Sequence, residues 1–98
     1  MLLARVLGNV VSTRKSEKLS GAKLLIVEPV DFVDQKSDGK PLIAVDSVGA
    51  GEGEVVLVVQ GSSARLTDAS KDSPVDATIM AIVDYVEYEG RRTFAKSG

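Results

Sequence analysis

The 98-residue chain contains no cysteine, no histidine and no tryptophan, and its aromatic side chains are only Phe32, Tyr85, Tyr88 and Phe94. Without cysteine there is neither a disulfide framework nor a thiolate metal site, a pattern that fits a reducing cytosol. Without histidine the commonest metal ligand and the commonest general base are both missing. Lys and Arg number 12 against 14 Asp and Glu, a net charge of −2 with the two signs interspersed. Such a surface sets up no field for nucleic acid or anionic lipid. No apolar run approaches the length that spans a bilayer, and Met1-Leu2-Leu3-Ala4-Arg5 lacks the charged and then sustained apolar segments of a leader. These absences predict a soluble, cytoplasmic protein with no cofactor, no metal, no membrane or nucleic-acid partner and no catalytic residue.

What is present is strand-forming sequence punctuated by turns. Leu2 to Thr13 reads as a long strand with Leu2, Ala4, Val6 and Val10 on one face, Arg5 and Asn9 on the other, and Gly8 as a bend or bulge. Lys23 to Glu28 is a second strand stopped by Pro29, Leu42 to Val48 a third and Glu54 to Gln60 a fourth, with a polar loop from Asp34 to Gly39. Ser73-Pro74-Val75-Asp76 combines a capping hydroxyl, a proline at the first helical position and a carboxylate near the positive helix end. A short helix is therefore expected to start there and run to Met80, before a fifth strand over Ile82 to Val86. Arg92 to Ala95 then returns as an edge strand against Tyr85 or Val86. The sum is one domain, residues 1–98, with a small, partly open, five-stranded β-barrel of OB-like kind and one short helix.

The stretch from Ala44 to Arg65 carries the most information. Val55 to Val59 shows no polar alternation, so a strand there needs cover on both faces, within the fold or across subunits. At 98 residues a chain buries a modest fraction of its surface, and association completes such a core. Gly49, Gly51 and Gly53 exceed what one chain reversal needs, which suggests close approach by another backbone. Asp46, Glu52 and Glu54 could be drawn as an acid/base group, but carboxylates beside glycine turns are more often solvated or capping groups. Gly61-Ser62-Ser63 invites comparison with a phosphate loop, yet lacks that motif's lysine and spacing. Asp31, Asp34 and Asp38 do not reproduce a calcium loop. The OB-like shape raises single-stranded nucleic-acid binding as the alternative function, against which stand the few aromatics and the scattered basic residues.

The segment AVDSVGAGEGEVVLVVQGSSAR resembles the signature of the EutN/CcmL family of bacterial microcompartment vertex proteins. The opening ARVLGNVVSTRK with LSGAKLLIVEPVD, and the later SPVDATIMAIVDYV, are similar to the same family in the same order. The resemblance implies a structural, non-enzymatic protein whose copies form a pentamer at the corners of a polyhedral shell, beside hexameric shell proteins. Small residues and a doubly apolar strand then place the subunit junction at Val48, Gly49, Ala50 and Gly51, with Ser62 and Ser63 nearby and Arg65 as its charged member.

Overall fold

The computed structural model describes residues 1–12, 23–61 and 77–96. Among the described residues there are seven strands: β1 (Leu2–Val10), β2 (Lys23–Pro29), β3 (Leu42–Asp46), β4 (Val55–Gln60), β5 (Ala77–Ile82), β6 (Tyr85–Tyr88) and β7 (Arg91–Ala95). The first five close into a barrel in the order β1-β2-β3-β5-β4, with β4 returning to β1, and β6 and β7 form a separate two-stranded sheet. The barrel is thus closed rather than partly open. Closure removes the exposed edges that an open sheet of this length would present.

The barrel interior is lined by small and medium-sized aliphatic side chains. Ala4, Val6, Leu25, Val27, Ala44, Ala50, Val56, Val58, Ala77 and Ile79 form one buried cluster, with Leu2, Leu42 and Ile82 packed against it. No aromatic side chain belongs to this cluster. Alternation along each strand sends these residues inward and their neighbours outward, as the period of two requires.

The break expected at Gly8 is real and has a consequence beyond bending. Val6 pairs with Val27 and Gly8 with Ile26, so Leu7 is the extra residue of a bulge and stands exposed. One inserted residue reverses the facing of everything after it. Val10 therefore lies opposite Leu24 on the outer side, not on the inner face with Ala4 and Val6, and Asn9 lies opposite the core residue Leu25.

The fifth barrel strand is Ala77–Ile82, which corrects two expectations. Residues 77–80 are strand rather than helix, and Ile82 to Val86 is not one strand, because pairing stops at Val83 and Asp84. The helix start at Ser73 to Asp76 lies outside the described residues, as does the turn expected after Gly61; among the described residues there is no α-helix. The physical reason is tertiary. β5 pairs parallel to β3 through Val45–Thr78 and Asp46–Ile79, and antiparallel to β4 from Val56–Ile82 to Gln60–Ala77, so it satisfies two strand edges at once. A helical turn would have left both edges without partners. The predicted return of the last segment does occur: Tyr85 pairs with Ala95 and Val86 with Phe94.

Candidate assembly interface

Between β3 and β4 runs the glycine-rich loop from Ser47 to Glu54, and its conformation is held by carboxylates at both ends. Asp46 has a wholly buried side chain whose Oδ1 accepts the Val48 amide at 3.0 Å and whose Oδ2 accepts the Ala50 amide at 2.9 Å. The ammonium of Lys23 donates to the Ala50 carbonyl at 3.0 Å and lies 3.6 Å from Asp46 Oδ2. At the other end, Glu54 Oε1 accepts the Gly51 amide at 2.6 Å and Oε2 meets Lys96 Nζ at 2.7 Å. Backbone bonds from Val6 to the Glu54 carbonyl and from Gly53 to the Val6 carbonyl fasten the loop to β1.

The charges reinforce one another at the second anchor. The Lys96 ammonium, and after it the Gly51 amide, hold the Glu54 carboxyl below the usual glutamate range, and Glu54 in turn raises Lys96 above the usual lysine range. Both shifts point to the same contact, a charge-assisted hydrogen bond that favours the ionised forms. Asp46 and Glu54 are capping groups, as carboxylates beside glycine turns were expected to be, and their oxygens are committed to amides and lysines. Asp31 and Asp34 act likewise in the loop after β2, where they accept the amides of Val33, Asp34 and Lys36. Among the described residues no three His, Cys, Asp or Glu side chains are grouped to hold a metal ion, and no helix is long and apolar enough to cross a membrane.

Two of the three loop glycines are explained by their own backbone. Gly49 has φ +80° and Gly53 φ +89°, conformations that L side chains rarely adopt, and a Cβ on either would meet nothing of the same chain within 4 Å. The surplus of glycine therefore reflects two left-handed positions, and among the described residues no other atom would crowd a Cβ at either of them. Val48, 40% exposed, and Gly49 stand at the surface, whereas Ala50 is 1% exposed and belongs to the barrel core. Gly51 is half-buried. Ser62, Ser63 and Arg65 lie outside the described residues.

Other exposed apolar side chains were not singled out from the sequence. Met80 is 43% exposed on β5, one step past the Asp46–Ile79 pair, which puts it at the same end of the parallel β3–β5 pair as Val48. Ile43 is 53% exposed on β3 and pairs with half-buried Ile26 on β2, while half-buried Leu3 and Leu57 pair across β1 and β4. The barrel thus carries apolar residues on two different outer flanks. Only the register reveals this, because outward and inward apolar positions look alike in β-branched sequence.

Tyr85, Tyr88 and Phe94 lie on the hairpin, and Phe32 reaches it from the loop after β2. Phe32 and Tyr88 have ring centroids 5.3 Å apart, Thr93 donates to the Phe32 carbonyl at 2.6 Å, and the Arg92 guanidinium stacks 4.1 Å over Tyr85. A basic group therefore does sit among the aromatics, contrary to the expectation from sequence. Its register partner on the facing strand is the acidic Glu87.

Residues 1–84 match the family described as ethanolamine utilisation protein EutN/carboxysome. Over 96 residues the chain is 46% identical to the bacterial microcompartment shell vertex protein EutN of Salmonella typhimurium, covering 98% of this chain and 96% of that one. It is 49% identical over 90 residues to the carboxysome shell vertex protein CcmL of a Synechocystis species, covering 88% of this chain and 85% of that protein. Among solved structures, the GrpN pentameric microcompartment shell protein from Rhodospirillum rubrum superposes with a TM-score of 0.78 at 46% identity, over 90% of this chain and 98% of that one.

Proposed function

The chain belongs to the EutN/CcmL family, and from that membership we propose that five copies close into a ring that caps the vertices of a bacterial microcompartment shell in the cytoplasm. The observation that carries this reading is the likeness over nearly the whole chain to proteins named as shell vertex proteins, one of them described as pentameric. The role is architectural. A flat sheet of six-sided tiles cannot close on itself, and five-sided tiles at chosen positions supply the curvature that seals it. Hexameric shell proteins are then the partners at the ring's outer edge, and no catalytic chemistry is required of this chain.

The barrel's two apolar flanks support a ring. A cyclic assembly uses a heterologous contact, in which one surface of a protomer meets a different surface of the next, and the ring closes when each step turns by a fifth of a full revolution. In this reading Val48 and Gly49 lie at the junction, with Met80 beside them at the same barrel end, and Ala50 and Gly51 contribute backbone rather than side chain. Ser62, Ser63 and Arg65 remain assigned to the junction on the sequence alone.

Native mass spectrometry tests the assembly and its junction together. The wild-type chain is expected at five times its 10.3 kDa mass. Val48→Asp and Met80→Lys, both at exposed sites, are expected to change protomer stability by no more than about 0.5 kcal/mol while shifting the mass to the monomer. A chain that stays monomeric at every concentration would overturn the ring, and salt-sensitive binding of an oligonucleotide would then favour the alternative of a single-strand binder.

A further inference from the structure

We infer that Lys96 is a positioning residue for the junction loop, so that the C-terminal hairpin that carries it sets the geometry with which neighbouring subunits meet. This rests on the reading of Ser47 to Gly53 as part of the subunit junction.

The path of the chain makes the case. The hairpin β6–β7 follows the last barrel strand, beyond the residues 1–84 that the family model matches but within the 96 residues over which the EutN relative aligns. The chain leaves the barrel at Val83, whose amide donates to the Val55 carbonyl at 2.8 Å, and returns at Lys96, whose amide donates to the Asp84 carbonyl at 2.7 Å. The hairpin is thereby closed at its base. Its returning residues Phe94, Ala95 and Lys96 line one side of a shallow cleft, whose other side is Glu52, Gly53, Glu54 and Val55. Across that cleft the Lys96 ammonium reaches Glu54 Oε2 at 2.7 Å, while Glu54 Oε1 holds the Gly51 amide at 2.6 Å.

The Glu54 carboxylate is therefore a relay with one oxygen on each partner. Its side chain is 23% exposed, so in the absence of Lys96 water has access to it and can compete for the oxygen that holds Gly51. The first half of the loop has its own anchor in the buried Asp46 and needs no help from the hairpin. The second half depends on Glu54, and through it on Lys96. A hairpin of two strands is marginal alone, and the Thr93–Phe32 hydrogen bond together with the Phe32–Tyr88 ring contact gives it a second fastening to the body. Lys96 thus works from a fixed base.

The experiment uses the full chain with Lys96→Met, Lys96→Arg, Glu54→Gln and the double variant Lys96→Met/Glu54→Gln, and reads amide hydrogen exchange at Gly51 alongside ring dissociation on dilution. Lys96→Met is expected to speed exchange at Gly51, leave exchange at Ala50 unchanged, and weaken each junction by a factor of about two to five. Those factors compound over the five junctions of a ring. Lys96→Arg is expected to restore both readouts, and Lys96→Met is expected to add nothing in the Glu54→Gln background. The inference is overturned if Lys96→Met leaves Gly51 exchange and ring stability as in the wild type, or weakens the ring equally with Gln at 54. A wild-type chain that forms no ring would sink the vertex reading instead, while the exchange measurement would still report whether Lys96 holds the loop.

Discussion

The ammonium of Lys23 bridges the Ala50 carbonyl, at 3.0 Å, and the buried carboxylate of Asp46, at 3.6 Å, and so closes a loop onto the strand that precedes it. The two residues are not equal partners. Asp46 is enclosed and serves two amides of the loop, whereas the Lys23 side chain is 53% exposed and keeps much of its hydration.

Asp46→Ala is expected to cost about 2–4 kcal/mol, because it strands the amides of Val48 and Ala50 without an acceptor. Lys23→Met is expected to cost at most about 1 kcal/mol, as for other exposed ion pairs. Urea denaturation at one fixed protomer concentration checks the order, since assembly makes apparent stability depend on concentration. Equal losses for the two variants would show that the carboxylate is not the anchor.

Glycine positions separate backbone strain from space. At Gly8 the backbone is not left-handed and a Cβ would meet nothing within 4 Å, so Gly8→Ala is expected to be neutral or stabilising by up to about 1 kcal/mol. At Gly49 there is equal space but φ is +80°, so Gly49→Ala is expected to cost about 1–2 kcal/mol. Thermal denaturation of the two variants under identical conditions distinguishes them, and the same sign for both would contradict the backbone argument.

The Glu54–Lys96 contact sets a pH dependence with a definite sign. Glu54 is depressed by Lys96 and by the Gly51 amide, so the stability it contributes is present above the pKa of an unfolded glutamate and is lost as pH falls through the lower folded value. Lys96 is raised by Glu54, so its contribution is complete below the pKa of an unfolded lysine and is lost as pH rises through the higher folded value. The difference in denaturation midpoint between wild type and Glu54→Gln is therefore expected to be flat around neutrality and to shrink at both acid and alkaline extremes. A difference that grows on acidification would show that the carboxylate is not stabilised by this pair.

Local chemistry in the chain was sufficient for much of the fold. Strand-forming residues between turn signals place β1 to β4 within a few residues, Gly8 marks the bulge, and carboxylates beside glycines announce their capping roles at Asp46 and Glu54. The absence of cysteine and histidine narrowed the chemistry, and the long pattern around Gly49 to Gly53 pointed to the family. Each of these is written in adjacent residues, where dihedral preference and hydrogen bonding over a few positions decide the outcome.

What only tertiary structure decided involves partners far apart in the chain. Ala77 to Met80 suits a helix or a strand by itself, and the waiting edges of β3 and β4 make it a strand. Val10 faces outward because one bulged residue upstream reverses the strand's facing, and Ala50 belongs to the core because Asp46 and Lys23 fold the loop inward. Lys23 and Lys96 look like any surface lysine until the barrel and the hairpin bring them to Asp46 and Glu54. Closing a sheet into a barrel fixes these encounters, since it determines which distant groups share a hydrogen bond, and no short stretch of sequence encodes that alone.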